Sequence, residues 1–332
     1  MAEAVAASRV EVRLASTGAD LAEIARIANA VQPDEPLTVD QMRWADERYP
    51  GGSRFLATID GEPAGMAGGG RVYIYPPDHP AWWGNIAVLP AHRGHGVGSA
   101  LLAAVSAAAA RAGKRELMGR TTEDRPEAIE FLAHRGIREV ERSKVVRLEL
   151  AGHPPVAVEA PEGVRITSLE AQPDLVAGVY AVAKDALPDI PGEGPVAPET
   201  LEEFVTGTVD RPQVPAGGFA VALDDATGEV IGYANLQLPS AGSTIAWHAM
   251  TAVARAWRGR GVAAALKRAT IAWAQANALE ALESSNDVEN APMRAVNRRL
   301  GYQPRPDEIT VRGPLWFPDR PTAAGTAHGS AR

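Results

Sequence analysis

The chain has 332 residues, 45% hydrophobic and 22% charged, with a formal net charge of -8 and no cysteine. This length fits two domains of about 150 residues, each large enough for its own core. The missing cysteines exclude disulfides, thiolate metal sites and a cysteine nucleophile, the acidic balance gives no reason to expect a nucleic-acid partner, and no run approaches the roughly 18 apolar residues of a membrane span.

The N-terminus, MAEAVAASRVEVRL, lacks the basic start and apolar run of a signal peptide, so the expected location is the cytoplasm. VEVRL alternates as a strand does, and ADLAEIARIANAV places Leu21, Ile24, Ile27 and Val31 at helical spacing. A short helix is expected from Leu37 to Trp44, then a hairpin of RFLATI and PAGMAGGGRVYIY turning at Gly61. WWGNIAVL reads as the next strand and runs into a glycine turn. A helix from Val97 to Arg111 follows, then the strand RELMGR, the helix PEAIEFLAHR with proline in its first turn, and the closing strand KVVRLEL.

Residues 151–162, AGHPPVAVEAPE, read as a linker. The order then repeats. VRITSL is a strand and PDLVAGVYAVAKDAL a helix; a long loop, Pro188 to Pro198, precedes a second short helix and is expected to cover an acceptor site. GGFAVALD and EVIGYANLQL form a hairpin, TIAWHAMTAV enters a second glycine turn, and a helix runs from Gly261 to Ala276. ALEALESS, the helix APMRAVNRRL ending at Gly301, and EITVRGP complete the half. The expected domains are 1–150 and 163–318, with a disordered tail at 319–332. Each half reads β-α-α-β-β-β-α-β-α-β, an α/β (α+β) fold with a mixed, twisted sheet flanked by helices rather than a doubly wound dinucleotide fold.

The two halves share landmarks at one offset. Arg93 to Arg258 and Gly136 to Gly301 each span 165 residues, which points to a duplicated domain. A strand that ends in Arg-Gly-x-Gly and opens a helix can gather several N–H groups at the positive end of that helix, beside an arginine suited to phosphate oxygens. The ligand expected there is a pyrophosphate. His92 and His95 in HRGH have no metal-ligand spacing, and no metal site is expected.

This constellation resembles the GNAT superfamily of N-acetyltransferases, as a tandem pair covering nearly the whole chain. The family loop matches Arg93, Gly94, His95, Gly96, Val97 and Gly98, and again Arg258, Gly259, Arg260, Gly261, Val262 and Ala263. The resemblance implies acetyl-CoA as cosubstrate, its pyrophosphate held by these loops and its pantetheine arm admitted between the fourth and fifth strands of a half. Val88, Val253 and Asn290 join the implied cofactor-binding set. The implied reaction is direct attack by an amine on the thioester, with a small-molecule amine as partner and neither nucleic acid nor membrane involved. A non-catalytic acyl-CoA-binding protein and a protein or peptide N-acetyltransferase are the alternatives.

Many family members place a tyrosine four residues before the glycine that ends the last helix. This chain has Leu132 and Asn297 there. His248 is the leading base candidate because its ordinary pKa lies near working pH, and strict alternation would put it on one face with Met250 and Ala252. Glu283, on the adjacent strand, is a second candidate for base or amine holder, and Asn297 for ordering water or contacting the cofactor. Asn290 also reads as a helix cap, as does Asp124. Trp82, Trp83, Trp247 and Tyr233 are candidates for lining an acceptor pocket. The polar supply favours catalysis in the second half; the first half either binds CoA structurally or is a second, weaker active site.

Overall fold

A computed structural model describes residues 9–33, 36–73, 75–189, 200–240 and 242–318. The expected covering loop lies largely outside these residues, and the expected disordered tail wholly outside them.

The first half runs β1 (Val10–Leu14), α1 (Gly18–Val31), α2 (Val39–Arg48), β2 (Ser53–Ile59), β3 (Glu62–Arg71), β4 (Ala81–Val88), α3 (Val97–Arg111), β5 (Glu116–Thr122), α4 (Pro126–Ala133) and β6 (Arg138–Glu149). The second runs β7 (Val164–Ser168), α5 (Val176–Ala186), α6 (Leu201–Phe204), β8 (Phe219–Asp224), β9 (Val230–Gln237), β10 (Ile245–Val253), α7 (Val262–Ala276), β11 (Ala281–Asp287), α8 (Ala291–Arg299), β12 (Gln303–Pro304) and β13 (Glu308–Pro314). The expected order holds in both halves, with β12 added.

Local chemistry fixes several boundaries. Thr17 and Thr38 open α1 and α2 as reciprocal capping boxes with Asp20 and Gln41. The cap at Thr38 sets the start of α2, which runs on to Arg48, beyond the expected Trp44. The strand expected through Tyr75 ends at Arg71, and the closing strand is longer than KVVRLEL because β6 has partners along its whole length. Gly65 and Gly232 are required by close packing: a Cβ on Gly65 would stand 3.0 Å from side chains of Val97 and Leu101, and one on Gly232 3.1 Å from Leu266.

Among the described residues the strands form one sheet in the order β1-β2-β3-β4-β5-β13-β6-β11-β10-β9-β8-β7, with β12 beside β6. The pairs are antiparallel except β4 with β5 and β10 with β11. The last strands of the two halves are interleaved: β13 lies between β5 and β6, and β6 lies between β13 and β11. In the first half α1 packs on one face with Leu56, Met66 and Ala87, while α3 covers the other with Phe55, Ala57 and Ala67. In the second half α5 covers Val221, Tyr233 and Ala252, and α7 covers Ala234, Leu236, Val253 and Leu282.

Candidate active site

Each glycine turn is built alike. β4 ends at Val88, a 3-10 turn (Pro90–His92) follows, and Gly94 and Gly96 take φ of 78° and 83° before α3 begins. β10 ends at Val253, a 3-10 turn (Arg255–Trp257) follows, and Gly259 and Gly261 take φ of 77° and 86° before α7. Only glycine adopts this left-handed backbone without strain. Arg93 Nε donates to the Val88 carbonyl at 3.3 Å and Arg258 Nε to the Val253 carbonyl at 3.0 Å, which ties each arginine to the strand before it. The first backbone bonds into each helix are Ala100 N–H to Gly96 and Ala265 N–H to Gly261.

Neither helix start is capped by a side chain, so the first-turn N–H groups of α3 and α7 face outward as free donors. Open space surrounds the Cα of Gly94, Gly96 and Gly259. Val97 and Val262, 1% exposed, anchor the turns in the core; Gly98 lies against the Phe131 ring and Ala263 packs at the edge of the α7 core. This is a cradle whose donors and charge fit a diphosphate. The two copies differ in their neighbours. Asp189 holds Arg258 at 2.7 Å and Arg255 at 3.0 Å, and the two arginines hold its carboxyl below the usual range. His95 Nδ1 donates to the Arg93 carbonyl at 2.8 Å, while Arg260 lies over the Trp257 ring.

Immediately before each turn two parallel strands part. β4 and β5 pair only from Ala81↔Glu116 to Trp83↔Met118, and β10 and β11 only from Ile245↔Ala281 to Trp247↔Glu283. Beyond those positions each half has a fork. A Cβ on Gly119 would meet the Gly84 carbonyl at 2.6 Å, so glycines bring the first fork's strands close together.

In the second half β10 departs from alternation. Against β9, His248 pairs with Leu236 and Met250 with Asn235, leaving Ala249 as a bulge at the mouth of the fork. His248 therefore lies on the α7 side with Leu236, whereas Met250 and Ala252 pack under α5. The expectation that all three share a face fails for this reason. The row Gln237–Trp247–Glu283–Arg147 looks out on the opposite face, because register partners point the same way.

The model of the Acetyltransferase (GNAT) family matches residues 20–137 and 182–302, one stretch in each half. The chain belongs to this family. It is 30% identical over 287 residues to a mycothiol acetyltransferase of Thermobispora bispora, covering 85% of this chain and 90% of that protein. Among solved structures, a tandem GNAT protein from the clavulanic acid biosynthesis pathway superposes with a TM-score of 0.72 at 22% identity, covering 94% of this chain and 100% of that one. A GCN5-related N-acetyltransferase from Sphaerobacter thermophilus gives 0.71 at 22% identity, over 92% and 96%.

In this GNAT protein the two forks differ in chemistry. On the α7 side of the second fork, Lys267 Nζ donates to Asn297 Oδ1 at 2.5 Å and to Ser284 Oγ at 3.3 Å. Asn297 Nδ2 donates in turn to Asn286 Oδ1 at 2.6 Å. Lys267 and Asn297 are each 1% exposed and Ser284 3%. The His248 ring meets the Tyr302 ring edge-on at 5.9 Å between centroids, and Lys267 Nζ lies 5.0 Å from the Tyr302 centroid. Neither His248 nitrogen nor the Tyr302 hydroxyl has a hydrogen-bond partner. Burial, reinforced by Lys267, holds the His248 pKa well below its ordinary 6.5; burial pushes Lys267 down to about 7 and the Tyr302 phenol far up. At the matching places the first fork has Leu102, Gly119 and Leu132, with Ile137 for Tyr302.

Of the three residues read as catalytic, His248 and Asn297 come together and Glu283 stands apart on the other face. Glu283 accepts from Arg147 at 3.1 Å, and Arg147 also binds Glu149. Asn290 caps α8 through Met293 N–H at 3.2 Å. Asp124 does not cap α4: it accepts from Thr122, the cap position is Arg125, and Glu123 pairs with Arg142. Trp82 and Tyr233 are core side chains, 4% and 3% exposed, whereas Trp83 and Trp247 are half-buried.

Sequence reasoning missed Lys267, Ser284, Tyr302 and Asp189. Lys267 lies three residues before Thr270 and seven before Ala274, on the buried stripe of α7. A residue-by-residue comparison of the two copies finds it, because its counterpart is the core side chain Leu102.

Proposed function

We propose that this acetyltransferase moves an acetyl group from acetyl-CoA to the amine of a small molecule by direct attack, in the fork of its second half, residues 163–318. The observation that carries this reading is the polar lining of that fork against the apolar lining of the first. In this reading each glycine turn holds the diphosphate on first-turn N–H groups, and the thioester arm passes between the parting strands. The first half, residues 1–150, binds the same cosubstrate without turning it over, since Leu102, Leu132 and Ile137 offer no group that moves a proton.

The amine nitrogen attacks the thioester carbonyl carbon, the C–S bond breaks, and the nitrogen loses its surplus proton. Glu283 meets the amine better than His248 does. It is half-buried beside Trp247 on the open face, whereas His248 is buried on the α7 side and titrates too low to hold a proton near neutrality. Asn297 and His248 then border the sulfur.

Titration calorimetry with acetyl-CoA, paired with thiol release in an amine panel, tests the placement. We expect Gly261→Trp to abolish binding at the second turn together with turnover, and Gly96→Trp to remove binding at the first turn while leaving turnover within about threefold. Turnover that survives Gly261→Trp overturns the assignment to the second half.

A further inference from the structure

The second fork holds a buried amine that the steps above leave without a role. Lys267 is the one lysine or arginine among the fully buried side chains of the described residues. Among the described residues no carboxylate lies within ion-pair distance of it, and its two oxygen partners, Ser284 Oγ and Asn297 Oδ1, are neutral. A buried cation without an anion is strongly disfavoured. Such a site is suited to a group that alternates between ammonium and amine, or to an anion that arrives in the course of the work. Ser284 and His248 are the first residues past the last paired position of the fork, Trp247↔Glu283. The amine therefore stands where the strands part, next to ring nitrogens and a phenol that have no partners.

We propose that Lys267 is the proton donor to the sulfur that leaves the thioester in the second fork. This rests on the reading that the thioester arm occupies that fork. As the C–S bond breaks the electron pair stays on sulfur; a proton passes from Lys267 Nζ to it, giving the free thiol and a neutral amine. The proton lost by the acetylated nitrogen, relayed through solvent, recharges Lys267, so no further reagent is needed. Asn297 is then a positioning residue: clamped between Lys267 and Asn286, it fixes where Nζ stands. The first half has leucines at both places and no such donor, which matches a site that binds without turnover.

Charge near Lys267 is simple to account for. From β10 it is faced by His248 and from the segment after α8 by Tyr302; burial keeps both uncharged around neutrality. From β11 and α8 it is faced by the neutral Ser284 and Asn297. Lys267 itself titrates at about 7, so at working pH it both holds and releases a proton.

The test uses free CoA carrying 13C at the carbon bonded to sulfur, bound to the full chain with Gly96→Trp so that only the second turn is loaded. Its thiol is titrated by NMR. We expect it to stay protonated through pH 8, ionising at or above the ordinary thiol value of about 8.5, because Lys267 is neutral above about 7 and leaves no cation beside the sulfur. Lys267→Leu, which copies Leu102, should keep CoA affinity at pH 6 within about threefold. The same variant should lower kcat more than about tenfold with the KM for acetyl-CoA little changed, and should lose the fall in kcat that the unaltered fork shows as pH rises through about 7. A thiol that ionises about a unit or more below the ordinary value in the unaltered fork, which would mean an ammonium that keeps its proton, or a kcat and pH profile unchanged in Lys267→Leu, overturns the proposal and leaves the proposed function standing. Loss of all CoA binding in the Gly96→Trp protein sinks both.

Discussion

Lys267 ties the chemistry of the second fork to the stability of the protein. Its ammonium titrates at about 7 when folded and at its ordinary 10.5 when unfolded. Between those values the unfolded chain binds a proton that the folded chain does not, so folding stability rises with pH there. The gain is complete above about 10.5, shrinks as pH falls from there and is gone below about 7, with a slope of at most about 1.4 kcal/mol per pH unit. Urea unfolding at pH 7 and pH 9 should show wild type gaining more stability over that interval than Lys267→Leu does. Equal gains in the two proteins would refute a neutral buried amine. Asp189 acts on the glycine turn in the opposite sense. It is an exposed acid held by the arginines that would meet a diphosphate, and it competes with that ligand. Asp189→Ala should tighten acetyl-CoA binding at the second turn by about threefold at low ionic strength, and salt should erase the difference. Weaker binding in the variant would mean that Asp189 holds Arg258 in its working position.

At the scale of elements, α8 presents Asn297 to Lys267, and its first turn depends on the Asn290 cap. Asn290→Ala should cost about 1 kcal/mol of stability. If Asn290 acts only as a cap, the variant keeps its acetyl-CoA affinity within about twofold; a tenfold loss would return it to the cofactor site. The order of elements in each half is legible from local pattern alone, because alternation, helical spacing and glycine placement are properties of neighbouring residues. Both glycine turns are legible for the same reason: Gly94, Gly96, Gly259 and Gly261 take the backbone that their spacing demands. The bulge at Ala249 is not. A single extra residue leaves the apolar pattern of TIAWHAMTAV intact, and only the pairing with β9 reveals that His248 and Met250 have parted to opposite faces. Asp124 misleads in a related way. It has the composition of a cap, but Thr122 and the turn geometry direct its carboxylate elsewhere.

At the scale of the whole molecule, the duplication visible in the sequence does not produce two separable sheets. The final strands are exchanged, so β5 depends on β13 from the other half, and β6 depends on both β13 and β11. Long-range pairing of this kind is invisible to periodicity, which describes a strand's faces and not its neighbours. The seam is also fastened by charge. Asp307, 4% exposed and lying between β12 and β13, receives Lys144 at 2.6 Å and Arg142 at 3.4 Å, both from β6. Arg142 reaches on to Glu123 and Glu139. Neither half can lose this seam without exposing strand edges of the other, so calorimetric unfolding of the full chain should show one cooperative transition. Asp307→Ala removes the acid that Lys144 and Arg142 share; both cations are partly exposed and Arg142 keeps Glu123 and Glu139, so the cost is about 1 kcal/mol. That loss should move the single transition down by about 2 °C without splitting it. Two transitions in the wild-type chain, or a shift in Asp307→Ala confined to one of two, would mean that the halves fold independently in spite of the exchanged strands.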